Sequence, residues 1–169
     1  MTTHPRDNLI AWLRDAYAME GQAIQLAERQ IERLEHYPEL RSKLQEHLSQ
    51  TQGQQAALEQ AFALLDSNPS ALKAGVMKVA ANVQGMMHAL ASDEVMKHIL
   101  ANYAFEQFEA ASYQALVTAA EQAGEREVAS TCATILREEQ EMAEWLWEHL
   151  PQLTQQYLQR SASGIDAKR

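Results

Sequence analysis

The chain has 169 residues, 46% of them hydrophobic, with a single cysteine and a net charge of −9. Its length suits one domain with a sizeable core. The acidic balance and the lack of any basic run exclude a nucleic-acid surface, and no apolar run approaches the ~20 residues that span a bilayer. Six glycines and four prolines leave few places to turn, whereas Ala, Leu, Gln and Glu abound. These side chains lose little freedom in a helix, so the composition reads as long helices and speaks against all-β or open α/β architectures. Met1-Thr2-Thr3-His4-Pro5-Arg6-Asp7 carries no basic-then-apolar signal segment, and Cys132 has no partner for an internal disulfide. A cytoplasmic location is the expectation.

The first predicted helix opens near Pro5, where the missing N–H costs nothing. Its apolar positions, Leu9, Leu13, Ala16, Tyr17, Ala23, Ile24, Ala27, Ile31 and Leu34, keep a helical period to about His36. Tyr37-Pro38 breaks it, because the residue before a proline is pushed out of the α region. The second helix carries Leu40, Leu44, Leu48, Leu58, Phe62 and Leu65 and ends near Asp66. The turn Asp66-Ser67-Asn68-Pro69-Ser70 follows, with Asn68 or Ser70 as a cap. Residues 71–90, rich in Ala and Met (Met77, Met86, Met87), read as a long crossover containing a shorter helix.

The third long helix is capped by Ser92 or Asp93 and runs to Ala123, with Gly124 placed for a left-handed terminal residue. The fourth starts near Arg126 and passes Leu150, and Pro151 there marks a kink or a new short helix to about Arg160. Residues 1–160 thus form one helical domain, and the polar residues 161–169 read as a disordered tail. Two tight antiparallel hairpins joined by one long crossover match an all-α, ferritin-like four-helix bundle; a cytokine-like bundle would need two crossovers.

Tyr17-Ala18-Met19-Glu20 on helix one is echoed 86 residues later by Tyr103-Ala104-Phe105-Glu106 on helix three. Both glutamates sit in the middle of an apolar stripe, where a purely structural core would not place them. His47, Thr51 and Gln54 interrupt the inward face of helix two in the same way, and Glu139 does so on helix four between Ile135 and Met142. Glu109 follows Glu106 by three residues and can share its face, whereas Glu138 falls on the flank of the helix-four stripe. Several carboxylates gathered in low dielectric repel one another and lose hydration, at a cost of several kcal/mol per ion. They must be protonated, paired with base or bound to cations, and no Lys or Arg lies on the inward stripes beside them.

Divalent metal resolves this electrostatic conflict. Oxygen-rich ligation with one imidazole suits Fe, Mn or Mg better than structural Zn. The ligand candidates are Glu20, His47, Glu106, Glu109 and Glu139, with Thr51 and Gln54 as supporting hydrogen-bond partners. The competing reading is a set of buried carboxylic acids hydrogen-bonded to Tyr17, Tyr103 or Tyr113. The methionines at 77, 86, 87 and 96 read as core or dimer contacts, and Trp12, Trp145 and Trp147 as packing at bundle ends or an interface.

At these residues the chain resembles a known family. Trp12-Leu13-Arg14-Asp15-Ala16-Tyr17-Ala18-Met19-Glu20, Tyr37-Pro38-Glu39-Leu40-Arg41, His47-Leu48-Ser49, Phe105-Glu106-Gln107-Phe108-Glu109 and Glu138-Glu139-Gln140 are similar to the bacterial YciE/YciF family, most nearly its YciE branch. The resemblance covers almost the whole chain. It implies a ferritin-like fold of diiron type and a cytoplasmic, stress-associated protein that forms a homodimer, with iron as the first expectation for the metal. It supplies no established reaction.

The ferritin-like pattern expects a Glu on helices one and three, which Glu20 and Glu106 supply with Glu109 as an extra, and Glu-x-x-His on helices two and four. Here the chain departs: helix two reads His47-x-x-Gln50 and helix four Glu139-x-x-Met142. Two functions follow from this mixture. One is a dimetal carboxylate protein that reacts with oxygen or peroxide; the other is a metal-free or single-metal structural protein with a degenerate site, acting through its dimer surface.

Overall fold

The computed structural model describes residues 4–69 and 93–167. These residues form four helices: α1 (Pro5–Arg33), α2 (Pro38–Leu64), α3 (Glu94–Ala123) and α4 (Arg126–Ala162). The helix starts follow the prolines and caps. Pro5 and Pro38 occupy the first turns of α1 and α2, and Gly124 closes α3 in the left-handed region at φ 79°. α4 runs through Pro151 to Ala162 as one helix, so Pro151 does not start a new one. Beyond it, Tyr37 donates its hydroxyl to the carbonyl of Ala167 at 2.7 Å. The crossover expected over residues 71–90, its methionines 77, 86 and 87, and the cap candidates Ser70 and Ser92 lie outside the described residues.

The contacts between helices define the topology. α1 packs on α2 and on α3, and α4 packs on α3 and on α2. Along each interface the partner number falls as the residue number rises: Arg14 meets Ser67 and Tyr17 meets Glu59, Glu20 meets Tyr113 and Gln30 meets Asn102, Glu39 meets Gln152 and Gln54 meets Glu138, so these neighbours run antiparallel. α2 and α3 therefore lie on a diagonal and point the same way. Consecutive helices that are parallel and diagonal are the ferritin-like arrangement and not the simple up-down one.

The core falls into two apolar clusters. One gathers Leu9, Leu13, Leu58, Phe62, Leu116 and Cys132, among others, around the α1 N-terminus. The second holds Ile31, Leu40, Leu44, Ile99, Met142 and Leu146 at the opposite end. Between them lies a layer of buried polar side chains. On α3 this layer continues towards the second cluster as Asn102, His98 and Glu94, one helical turn apart. Asn102 is answered from α1 by Gln30, whose amide exchanges two hydrogen bonds with it at 3.0 and 2.8 Å. Arg33 closes the outer end by pairing with Glu94.

The reciprocal amide pair gives a clear stability test. Asn102→Leu strands the Gln30 amide in the core and should cost about 1–3 kcal/mol in denaturant unfolding. Adding Gln30→Leu removes the stranded group, so the double variant should recover much of that loss. Additive losses would show that the pair is not acting as a unit.

Candidate metal centre

The polar layer is assembled by helical spacing alone. His47, Thr51 and Gln54 recur at intervals of four and three on α2, which keeps them on one face. Thr51 donates to the His47 carbonyl at 3.0 Å within the helix, so its hydroxyl is satisfied locally. α3 contributes Glu106, Glu109 and Tyr113, α1 contributes Glu20 and α4 contributes Glu139, each within its helix's buried face. Glu20 and Glu139 are fully buried, and Glu109 and Glu106 are 1% and 4% exposed.

His47, Glu106 and Glu139 form the tightest group, with one ligand atom from each lying within 4.8 Å of the others. His47 Nε2 stands 3.2 Å from Glu106 Oε2 and 3.8 Å from Glu139 Oε2. Ligand atoms around one cation with bonds of about 2.1 Å are separated by about 3.0–3.5 Å; the His47–Glu106 pair has that spacing, and Glu139 stands slightly wider. Glu20 and Glu109 join the same electrostatic cluster. Glu20 feels the charge of Glu106 and His47, and Glu109 that of Glu20, Glu106 and Glu139. The five residues singled out by their inward glutamates and histidine are thus brought into one neighbourhood.

The hydrogen bonding is incomplete in a telling way. Tyr113 donates to Glu20 Oε1, and Gln54 Nε2 donates to Glu139 Oε1 at 2.6 Å and to Glu138 Oε2 at 2.9 Å. Several atoms remain without any hydrogen-bond partner: Oε2 of Glu20, Glu106 and Glu139, Oε1 of Glu109 and Gln54, and Nδ1 of His47. His47 and Glu106 stand at ion-pair distance, 3.2 Å. Among the described residues, only Gln22 contributes another orphaned buried atom. Buried polar groups are normally satisfied. Unsatisfied carboxyl oxygens on neighbouring helices, with no Lys or Arg among the buried residues, fit an oxygen-seeking cation.

Two tyrosines considered as partners for the glutamates lie elsewhere. Tyr17 donates to Glu59 on the outer surface at 2.7 Å. Tyr103 packs its ring against Trp147 with centroids 5.6 Å apart. Only Tyr113 reaches the carboxylates, because its position one turn beyond Glu109 keeps it on the buried face of α3.

Protonation is the alternative to metal. Burial pushes the Glu20 carboxyl up to about 7, against the lowering effect of the Tyr113 hydrogen bond. Burial and then the charge of Glu106 push Glu139 up to about 11, and burial raises Glu109 well above the carboxylate range. Burial is the largest effect and would depress His47, but the charges of Glu106 and Glu20 together with hydrogen bonding to Glu106 and Gln50 outweigh it, and the imidazole is raised. All these groups hold protons more tightly folded than unfolded. Their stabilisation is present at low pH and is lost as pH rises through the folded values. The melting temperature of the metal-free protein should therefore fall as pH rises from about 5 to about 8. Glu139→Gln, which copies the protonated acid, should stay close to wild-type stability at neutral pH and shallow the slope. A melting temperature that rises over that range would contradict the assignment.

With the geometry in place, comparison with known proteins is informative. Residues 4–159 match the family model described as "Domain of unknown function (DUF892)". A solved structure from Xanthomonas campestris is 39% identical, covering 94% of this chain and 99% of its own, with a TM-score of 0.79. YcfI of Rhodopseudomonas palustris is 26% identical over 85% of this chain and 93% of its own, with a TM-score of 0.75. The Escherichia coli stress protein YciF, at 24% identity, shares the fold over 88% of this chain and 96% of its own, with a TM-score of 0.77. The chain belongs to the DUF892 family.

Proposed function

We propose that this is a stress-associated, ferritin-like protein that binds divalent metal in the bundle core through Glu20, His47, Glu106, Glu109 and Glu139. Iron is the first candidate, with Mn or Mg as alternatives. The observation that carries the reading is the group of His47, Glu106 and Glu139, with ligand atoms within 4.8 Å of one another and carboxyl oxygens that no donor satisfies. Four carboxylates against one imidazole leave a charge that two divalent cations would balance. When bound, iron would supply redox chemistry towards oxygen or peroxide. The chain's part is to hold the ligands dry, to keep a proton on Tyr113 beside Glu20, and to keep competing bases out of the layer.

The stress association is carried by the likeness to YciF, and the YciE branch by the motifs around Glu20, His47 and Glu106. No described helix is long and apolar enough to cross a membrane; the cytoplasmic location belongs to this proposal. So does a homodimer. Its support is a shallow groove between α1 and α3 lined by Pro5, Trp12, Ala111 and Ala115, with Trp12 46% exposed. Light scattering at tens of micromolar should give twice the chain mass, and a monomer would contradict it.

A second reading, a metal-free or single-metal structural protein, rests on the ligands that α2 and α4 lack. Gln50 and Met142 stand where a fuller site would carry a carboxylate and an imidazole. Metal-dependent stability separates the two. Fe(II) under nitrogen, then Mn(II) and Mg(II), added at about a hundred times Kd should raise the melting temperature by roughly 5 °C or more. The gain should shrink as pH falls, because protons compete for the same oxygens. Glu139→Ala should abolish most of the gain while leaving the metal-free protein as stable or more so, since it deletes a buried carboxyl that must take up a proton to fold. A wild type indifferent to all three metals would leave the structural reading standing.

A further inference from the structure

Among the described residues, the buried layer is closed towards both ends of the bundle. Towards the α1 N-terminus it meets the apolar cluster of Leu13, Leu58, Phe62 and Cys132, which offers a cation no ligand. Towards the other end, the polar stripe of α3 is filled by the Gln30–Asn102 pair and capped by Arg33 on Glu94. A cation moving along it would have to pass a guanidinium. At the seam between α2 and α4, polar atoms run outward without interruption. Glu139 is fully buried, Gln54 is 3% exposed, and Glu138 beside them is only partly buried. Gln54 Nε2 bridges the inner and outer carboxylates, at 2.6 Å to Glu139 and 2.9 Å to Glu138. Its own Oε1 is buried with no donor.

We propose that Glu138 and Gln54 form the entrance by which a divalent cation reaches the buried centre, Glu138 capturing the ion from solvent and Gln54 acting as the latch. The proposal rests on the metal reading above. Glu138 offers a carboxylate that is accessible yet already hydrogen-bonded into the site. Swinging the Gln54 amide breaks both donor bonds, frees Glu139 Oε1 and presents the orphaned Oε1 to the passing cation. A carbonyl oxygen there replaces hydration the ion loses on entering. No bond is made or broken except coordination, and the protons displaced from the buried glutamates leave as the ion enters. Glu138 is thus a positioning residue on the path and not one of the resident ligands.

An entrance and a ligand have different kinetic signatures. A group that speeds entry must speed exit equally, whereas a ligand mainly slows exit. Co(II) association followed by stopped-flow absorption, and release into excess EDTA, give the two rates. Glu138→Gln should slow both by about tenfold or more, the range by which a local charge accelerates capture, and leave Kd within a few-fold. Glu138→Asp, which keeps the charge, should recover most of both rates. Faster release with unchanged loading would make Glu138 a ligand and overturn the proposal, as would two unchanged rates, which would place the entrance elsewhere. Circular dichroism of each variant excludes misfolding as the cause. If wild type and Glu138→Gln alike bind no Co(II), the metal centre itself fails; if wild type binds and the rates do not move, only the entrance does.

Discussion

The constraint on which the structure turns is the burial of four carboxyl groups and one imidazole in a single layer without a lysine or arginine to neutralise them. Each helix supplies its share: Glu20 from α1, His47 from α2, Glu106 and Glu109 from α3, Glu139 from α4. Desolvating that many acids costs several kcal/mol apiece unless protons or cations take up the charge. Protons can do this one at a time, which is why Glu20 and Glu139 hold theirs far above the usual carboxylate range. The carboxyl oxygens without a hydrogen-bond donor are the atoms that protons or cations must satisfy. A protein optimised only for stability would fill these positions with Leu and Ala, as it does in the clusters on either side.

The bundle makes such a layer possible because its two ends are stabilised independently. Leu9, Leu13, Leu58, Phe62 and Leu116 pack below the layer, and Leu40, Leu44, Ile99, Met142 and Leu146 pack above it. At about 25 cal/mol per Å² of apolar surface buried, clusters of this size outweigh a few strained polar positions. The antiparallel neighbours and the same-way diagonal of α2 and α3 fix which faces converge. Helix spacing then sets the height of each ligand, so the residues converge without any loop taking part.

Much of this was legible in the sequence, for a physical reason: a charged residue in the middle of an apolar stripe has few explanations. Glu20, Glu106 and Glu139 stood out on that ground, and Pro5, Pro38 and Gly124 marked helix ends through backbone geometry. Periodicity could not decide rotations of a few tens of degrees about a helix axis. Tyr17 and Tyr113 looked equivalent by spacing, yet the first faces Glu59 and the second Glu20. Glu138 fell on a flank, and its link to Gln54 depends on how closely α2 approaches α4, which no single-helix pattern encodes. The Gln30–Asn102 pair escaped notice, although Glu94, His98, Asn102 and Glu106 recur every four residues along α3. Of the two readings of Pro151, the new short helix fails because a proline can remain inside a helix at the loss of one backbone hydrogen bond.

The central claim is that cations, not protons alone, occupy this layer in the working protein. Metal content measured on protein purified from its own cells, without chelators or a metal-affinity column, addresses it most directly. The account predicts about two divalent ions per chain, the number that balances four carboxylates around one imidazole. Protein that is folded and carries only trace metal after that preparation would contradict it, and would leave the buried carboxylates as a protonated layer.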